Sequence, residues 1–167
     1  MFDGGHYEQA SVAYLRAGQN REVAICDAYL LREKARLTST TVSTARSRAF
    51  IAAANAFITC AKDQPPELTD GRLAYYETAG DCYLEARDPD YVKNAGDSYR
   101  MAERYTAAAR AYREGECFDE MAEVIIQHGD ALESGLLERL TKVARIYYFK
   151  VYFYSRLVSE YVCSSFN

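Results

Sequence analysis

The chain has 167 residues, 49% of them hydrophobic, with only nine glycines and three prolines; this excludes a disordered chain and fits one folded, helix-rich domain over 1–167. Its net charge of -4 is unevenly spread: residues 1–60 hold seven Lys/Arg against five Asp/Glu, residues 61–140 nine against eighteen, and residues 141–167 four against one. An acidic middle is a poor phosphate-binding surface, so direct nucleic-acid binding is disfavoured.

The opening MFDGGHYEQA has neither a basic nor an apolar stretch of the kind a secretory signal needs. Residues 6–17 and 20–36 are predicted as the first helix pair, with Gly18 supplying a left-handed turn between them. Thr40 or Thr41 is expected to start a long helix to about Lys62, in which Val42, Ala45, Ala49, Ala52, Ala53, Ala56 and Phe57 keep one apolar face, before Pro65 and Pro66 end it. Thr69 or Asp70 is expected to cap the next helix, which runs through Tyr76 and Tyr83 to Ala86. Asp88 as cap and Pro89 in the first turn predict a helix over about 89–102, and Gly115 and Gly129 mark the next two stops. Residues 131–167 read as one or two further helices. Their apolar stretch, around 143–162, is broken by Arg145, Lys150, Arg156 and Glu160 and is no membrane span. Eight of the 22 aromatic residues fall in the last 21 positions, a density read as a packing ridge, or as an adhesive surface if the rings are exposed.

Through these segments runs the pattern Ala-x-x-x-Tyr-x-x-Ala. It occurs at Ala10–Ala17, Ala79–Ala86 and Ala95–Ala102, with Gly closing the copy at Ala108–Gly115 and a degenerate copy at Ala53–Cys60 with Phe57 in the aromatic place. Small residues at both ends and a ring between them share one helical stripe, so neighbouring helices can approach at the alanines and lock around the ring. The expected fold is all-α, a right-handed α-solenoid of antiparallel helix pairs. Most of the fifteen tyrosines take repeat positions, where the ring packs and the hydroxyl reaches the rim of a helix pair.

Catalytic chemistry is not legible. Cys26, Cys60, Cys82, Cys117 and Cys163 form no CxxC pair and read as reduced core thiols, which implies an intracellular protein, cytoplasmic or nuclear. His6 and His128 lie too far apart for a metal motif, and His128 before Gly129 suits a helix C-terminus. GxSxG is missing, and Ser134-Gly135 lacks the required setting. Gly80-Asp81 and Gly96-Asp97 lie inside repeats, where glycine permits close helix contact. No enzyme activity, metal or cofactor is expected. The remaining functional surface is the groove of the repeat array, where Arg100, Glu103, Arg104, Arg110 and Arg113 surround two adjoining helices and could pair with an acidic peptide. A solvated charged face is the competing reading.

The strings HYEQASVAYLRAGQNREVAICDAYLLREKAR, RAFIAAANAFITCA, AGDCYLEARDPDYVKNAGDSYRMAERYTAAARAYREGECFDEMAEVI and KVARIYYFK resemble, in this order, the helical-repeat region of large fungal and animal proteins. Those proteins join a UvrD-like helicase core to tetratricopeptide-like (TPR-like) and ankyrin repeats. The resemblance implies a TPR-like superhelix acting as a protein-binding scaffold, with a protein or peptide segment as partner and no membrane. The helicase's GxxxxGK[ST] loop is missing, so no ATPase is implied. Phe2-Asp3 match Phe118-Asp119 at a repeat boundary, so the chain is expected to be a fragment of a longer array. Two alternatives are a vesicle-trafficking adaptor similar to soluble NSF attachment proteins, which the basic, aromatic C-terminal region disfavours, and an accessory nucleic-acid module of a helicase.

Overall fold

A computed structural model describes residues 6–38 and 43–164, the side chains of Ser43 and of residues 153–164 excepted. Among the described residues the helices are α1 Tyr7–Arg16, α2 Asn20–Leu37, α3 Ser43–Lys62, α4 Thr69–Ala86, α5 Val92–Met101, α6 Tyr105–Glu114, α7 Phe118–His128 and α8 Ser134–Ser164. Short 3-10 turns occupy Pro89–Tyr91 and Gly129–Ala131, and no strand occurs among the described residues. The fold is all-α, with each helix packed on the next along the chain.

Small residues decide how the helices meet. Ala28, Ala53, Ala79, Ala95 and Ala108 are fully buried, and so are the rings of Phe50, Phe57 and Tyr112 that fill the space between them. Tyr83, Tyr99 and Tyr112 each donate the hydroxyl hydrogen to a side chain of the preceding helix, and Tyr99 and Tyr112 lie over the glycine just before the acceptor. Tyr83 of α4 donates to Asn55 Oδ1 of α3 at 2.7 Å, Tyr99 of α5 to Asp81 Oδ1 of α4 at 2.8 Å, and Tyr112 of α6 to Asp97 Oδ1 of α5 at 2.6 Å. In every case the acceptor is the third residue of the preceding motif and the donor the fifth of its own. A Cβ on Gly80 would come within 2.9 Å of the Tyr99 ring, and one on Gly96 within 2.5 Å of the Tyr112 ring. Glycine is thus the residue that admits the ring, and the close helix contact expected at both positions is this approach of a ring. A further rung, which the motif search missed, joins Tyr148 of α8 to Asp119 Oδ1 of α7 at 2.8 Å, with Ala144 opening its motif copy.

The helices also end alike. The residue eight positions after the first alanine of a motif is left-handed in four copies: Gly18 (φ 71°), Arg87 (52°), Glu103 (59°) and Glu116 (55°). After α1, α5 and α6 the next amide reaches back to the repeat tyrosine's carbonyl, Gln19 N to Tyr14 O at 3.0 Å, Arg104 N to Tyr99 O at 2.8 Å and Cys117 N to Tyr112 O at 2.8 Å. These 6→1 bonds, with the inner bonds from Gly18, Glu103 and Glu116, make three Schellman turns.

Several local expectations need correction. Leu68 takes the cap position of α4, where no side chain caps, and Thr69 Oγ1 donates to Pro66 O instead. Asp88 does cap, accepting from Asp90 N at 3.2 Å, but Pro89 leads a 3-10 turn that precedes α5. Gly115 closes α6 at an ordinary φ of -81° and leaves the left-handed position to Glu116; its small size instead admits Val92, whose Cγ1 lies 3.1 Å from where a Cβ would sit. Residues 134–164 form one helix, within the expectation of one or two. The expected helix start at Thr40 or Thr41, the Phe2-Asp3 match and the Cys163 thiol lie outside what is described.

Candidate functional site

The residues singled out for partner binding come together along the α5–α6 turn and its neighbours. Arg100 and Glu103 line a shallow depression of about 530 Å³ with Lys62, Arg72 and Tyr76. Glu103, Arg104 and Arg110 line a second of about 340 Å³ beside Glu77 and Tyr105. Arg110 and Arg113 line a third of about 540 Å³ with Glu114, Leu136 and Arg139. Shared lining residues make the three one discontinuous groove over α4, α5, α6 and the start of α8.

Local structure positions these side chains. The left-handed Glu103 ends α5 and turns the chain so that Arg104 heads α6. Arg104 Nε then meets Glu77 Oε1 of α4 at 3.0 Å, and that carboxylate holds its pKa above the ordinary value. Arg100 Nη1 meets Glu123 Oε2 of α7 at 3.2 Å, and Arg110 Nη2 meets Glu133 Oε2, just before α8, at 3.1 Å. Beside them Lys93 Nζ lies 2.8 Å from Glu120 Oε1, which raises the lysine and lowers the carboxyl. All of these pairs are well exposed and contribute little stability.

The groove is therefore less cationic than its sequence. Arg100, Arg104 and Arg110 are already matched by carboxylates of the same chain, whereas Arg113 is exposed and makes no ion pair among the described residues. Arg139, whose Nε donates to Gly135 O at 3.0 Å, adds a second cation beside Arg113 and the buried Leu136. Sequence reasoning missed Arg139, because no repeat spacing shows that α8 begins against α6; only their contact does.

The other candidates take structural places. His128 closes α7 and stacks on Tyr105 of α6 with ring centroids 3.7 Å apart. Cys26, Cys60 and Cys82 are buried and Cys117 half-buried, all four free thiols, and burial pushes Cys60 up to about 11 and Cys82 up to about 12. No group of three or more His, Cys, Asp or Glu side chains is arranged to hold a metal among the described residues, and no described helix is long and apolar enough to cross a membrane. No family model, curated protein or solved structure matches this chain.

Proposed function

We propose that this chain is a non-catalytic helical-repeat scaffold that binds a protein or peptide segment along the groove of Arg100, Glu103, Arg104, Arg110 and Arg113. The observation that carries the reading is the constant register of the tyrosine rungs from α3 to α6, which supports a regular stack. Ion pairs between helices two apart, Arg32 with Glu85, Arg104 with Glu77 and Arg100 with Glu123, support the winding of that stack into a right-handed TPR-like superhelix. Pairing of three arginines within the chain favours Arg113 and Arg139 as the residues that meet an anion. The segment it takes therefore sets a carboxylate against these two and an apolar residue on Leu136. The resemblance to UvrD-like helicase proteins supports reading it as a regulatory region of such a protein, and the free buried thiols favour an intracellular place, cytoplasmic or nuclear.

The test is affinity capture from native lysate with the folded chain as bait, beside Arg113→Glu/Arg139→Glu, with a labelled single-stranded DNA titration at two salt concentrations. A partner captured by the wild type and lost in the variant, with no DNA binding, is the expected result. Tight, salt-sensitive DNA binding would move the function to nucleic-acid recognition.

A further inference from the structure

In α3 and α4 the motif register marks the side of the helix that receives the next one. In α4 it carries Gly80 and Asp81, on which Tyr99 of α5 rests, together with Leu84, which is packed into the core. In α3 the same three positions are Ala54, Asn55 and Ile58, with Tyr83 of α4 bonded to Asn55 and Ile58 packed into the core. In α8, whose motif opens at Ala144, the equivalent residues are Arg145, Ile146 and Phe149. Here no helix among the described residues covers the equivalent side: Ile146 is 50% and Phe149 70% exposed, and they line an open trough of about 850 Å³ with Lys142 and Lys150.

This face differs chemically from the receiving side of α4. Where α4 has a glycine to admit a ring, α8 has Arg145, and where α4 has a carboxylate to accept a tyrosine hydroxyl, α8 has Ile146. Another tyrosine-bearing repeat helix therefore has neither space nor acceptor there. Lys142, Arg145 and Lys150 surround the apolar pair and make no ion pair among the described residues; Glu138, one turn before Lys142, is the acidic residue of the lining. The three cations span nine residues of helix, about 12 Å of rise.

We propose that this face of α8 docks an acidic amphipathic helix of a partner protein. The partner's apolar stripe covers Ile146 and Phe149, and carboxylates on its flanks meet Lys142, Arg145 and Lys150. The lining shares no residue with the groove, and the inference does not depend on what the groove binds.

The probe is a fluorescein-labelled amphipathic peptide of about 20 residues, leucines on one stripe and glutamates on both flanks, titrated with the full chain and followed by anisotropy. A peptide of the same pattern with lysine flanks serves as the comparison and needs no variant to fold. The acidic peptide is expected to bind about tenfold or more tightly than the lysine peptide. Binding is expected to fall about tenfold in Arg145→Glu and in Ile146→Asp, both at exposed positions, and not in Arg21→Glu, an equal charge change on α2. Failure of the acidic peptide to bind, equal binding of both peptides, or indifference to Arg145→Glu would overturn the proposal. So would a dimer in sedimentation that Ile146→Asp dissolves, since a second copy would then cover the face, or anionic-vesicle binding that Arg145→Glu abolishes without peptide binding.

Discussion

Replacing Gly96 with alanine sets two effects of opposite sign against each other. Alanine is favoured in a helix by about 1 kcal/mol, so the exchange stabilises α5 in isolation. The new Cβ, however, would sit 2.5 Å from Cε1 and 2.6 Å from Cδ1 of Tyr112, whose ring is fully buried and whose hydroxyl is fixed on Asp97 at 2.6 Å. The ring is not the free end of a flexible side chain and cannot swing aside without losing that bond. Overpacking of this kind costs about 1–3 kcal/mol, and the lost hydrogen bond about 0.5–1.5 kcal/mol. The bond belongs at the low end of that range, because the Asp97 side chain is 43% exposed and water can replace the hydroxyl. The net expectation is a loss of about 0.5–2.5 kcal/mol, read by urea unfolding followed by circular dichroism. Gly80→Ala, with contacts from 2.9 Å, should lose less, and Gly71→Ala, with nothing within 4 Å, should lose nothing or gain. If Gly96→Ala proved as stable as Gly71→Ala, the ring-over-glycine packing would be refuted.

Tyr99→Ala should destabilise the chain by about 3–5 kcal/mol, since the ring is 94% buried between α4 and α5; a neutral result in the same unfolding assay would contradict its position. Burial, reinforced by Asp81 and Asp97 respectively, raises the hydroxyls of Tyr99 and Tyr112, and burial alone is the main cause of the rise at Tyr83. Unfolded tyrosines ionise near pH 10, so above about pH 10 the folded state holds more protons and stability should fall with rising pH, while below that these groups leave it unchanged. Equal unfolding midpoints at about pH 8 and pH 11 would contradict this. Glu116→Gly should stabilise by about 0.5–1 kcal/mol, because relief of about 1–2 kcal/mol of left-handed strain exceeds the extra chain entropy of glycine; a lower melting temperature would count against the turn.

The parts of this fold legible in the sequence are those with a local cause. Ala79, Tyr83 and Ala86 share a stripe whatever they pack against, and Gly18 is the residue type its left-handed turn prefers. Gly80 and Gly96 were legible as points of close approach, though not the tyrosine that each receives. Less legible were features set by the neighbouring helix. Nothing in the spacing showed that the third motif residue accepts the next tyrosine's hydroxyl, and Arg87, Glu103 and Glu116 hold a left-handed conformation that their side chains disfavour. The arginines of the groove were found by polarity, but their carboxylate partners belong to helices two places away in the chain, or just before one, so their neutralisation was invisible. The packing ridge expected near the C-terminal region divides in the same way. Tyr147 packs at a tilt against Phe118 of α7 with centroids 4.5 Å apart, while Phe149 lines the open trough.

The measurement that reaches the centre of this account is a double-mutant cycle across one rung, combining Tyr112→Phe with Asp97→Ala and reading both singles and the pair by urea unfolding. Because Asp97 also lies 3.5 Å from Lys93, only the coupling energy isolates the rung. The account predicts a favourable coupling of about 0.5–1.5 kcal/mol between the two side chains. Strictly additive losses would mean that the hydroxyl and the carboxylate do not join α5 to α6, and the repeated register would no longer explain how these helices stack.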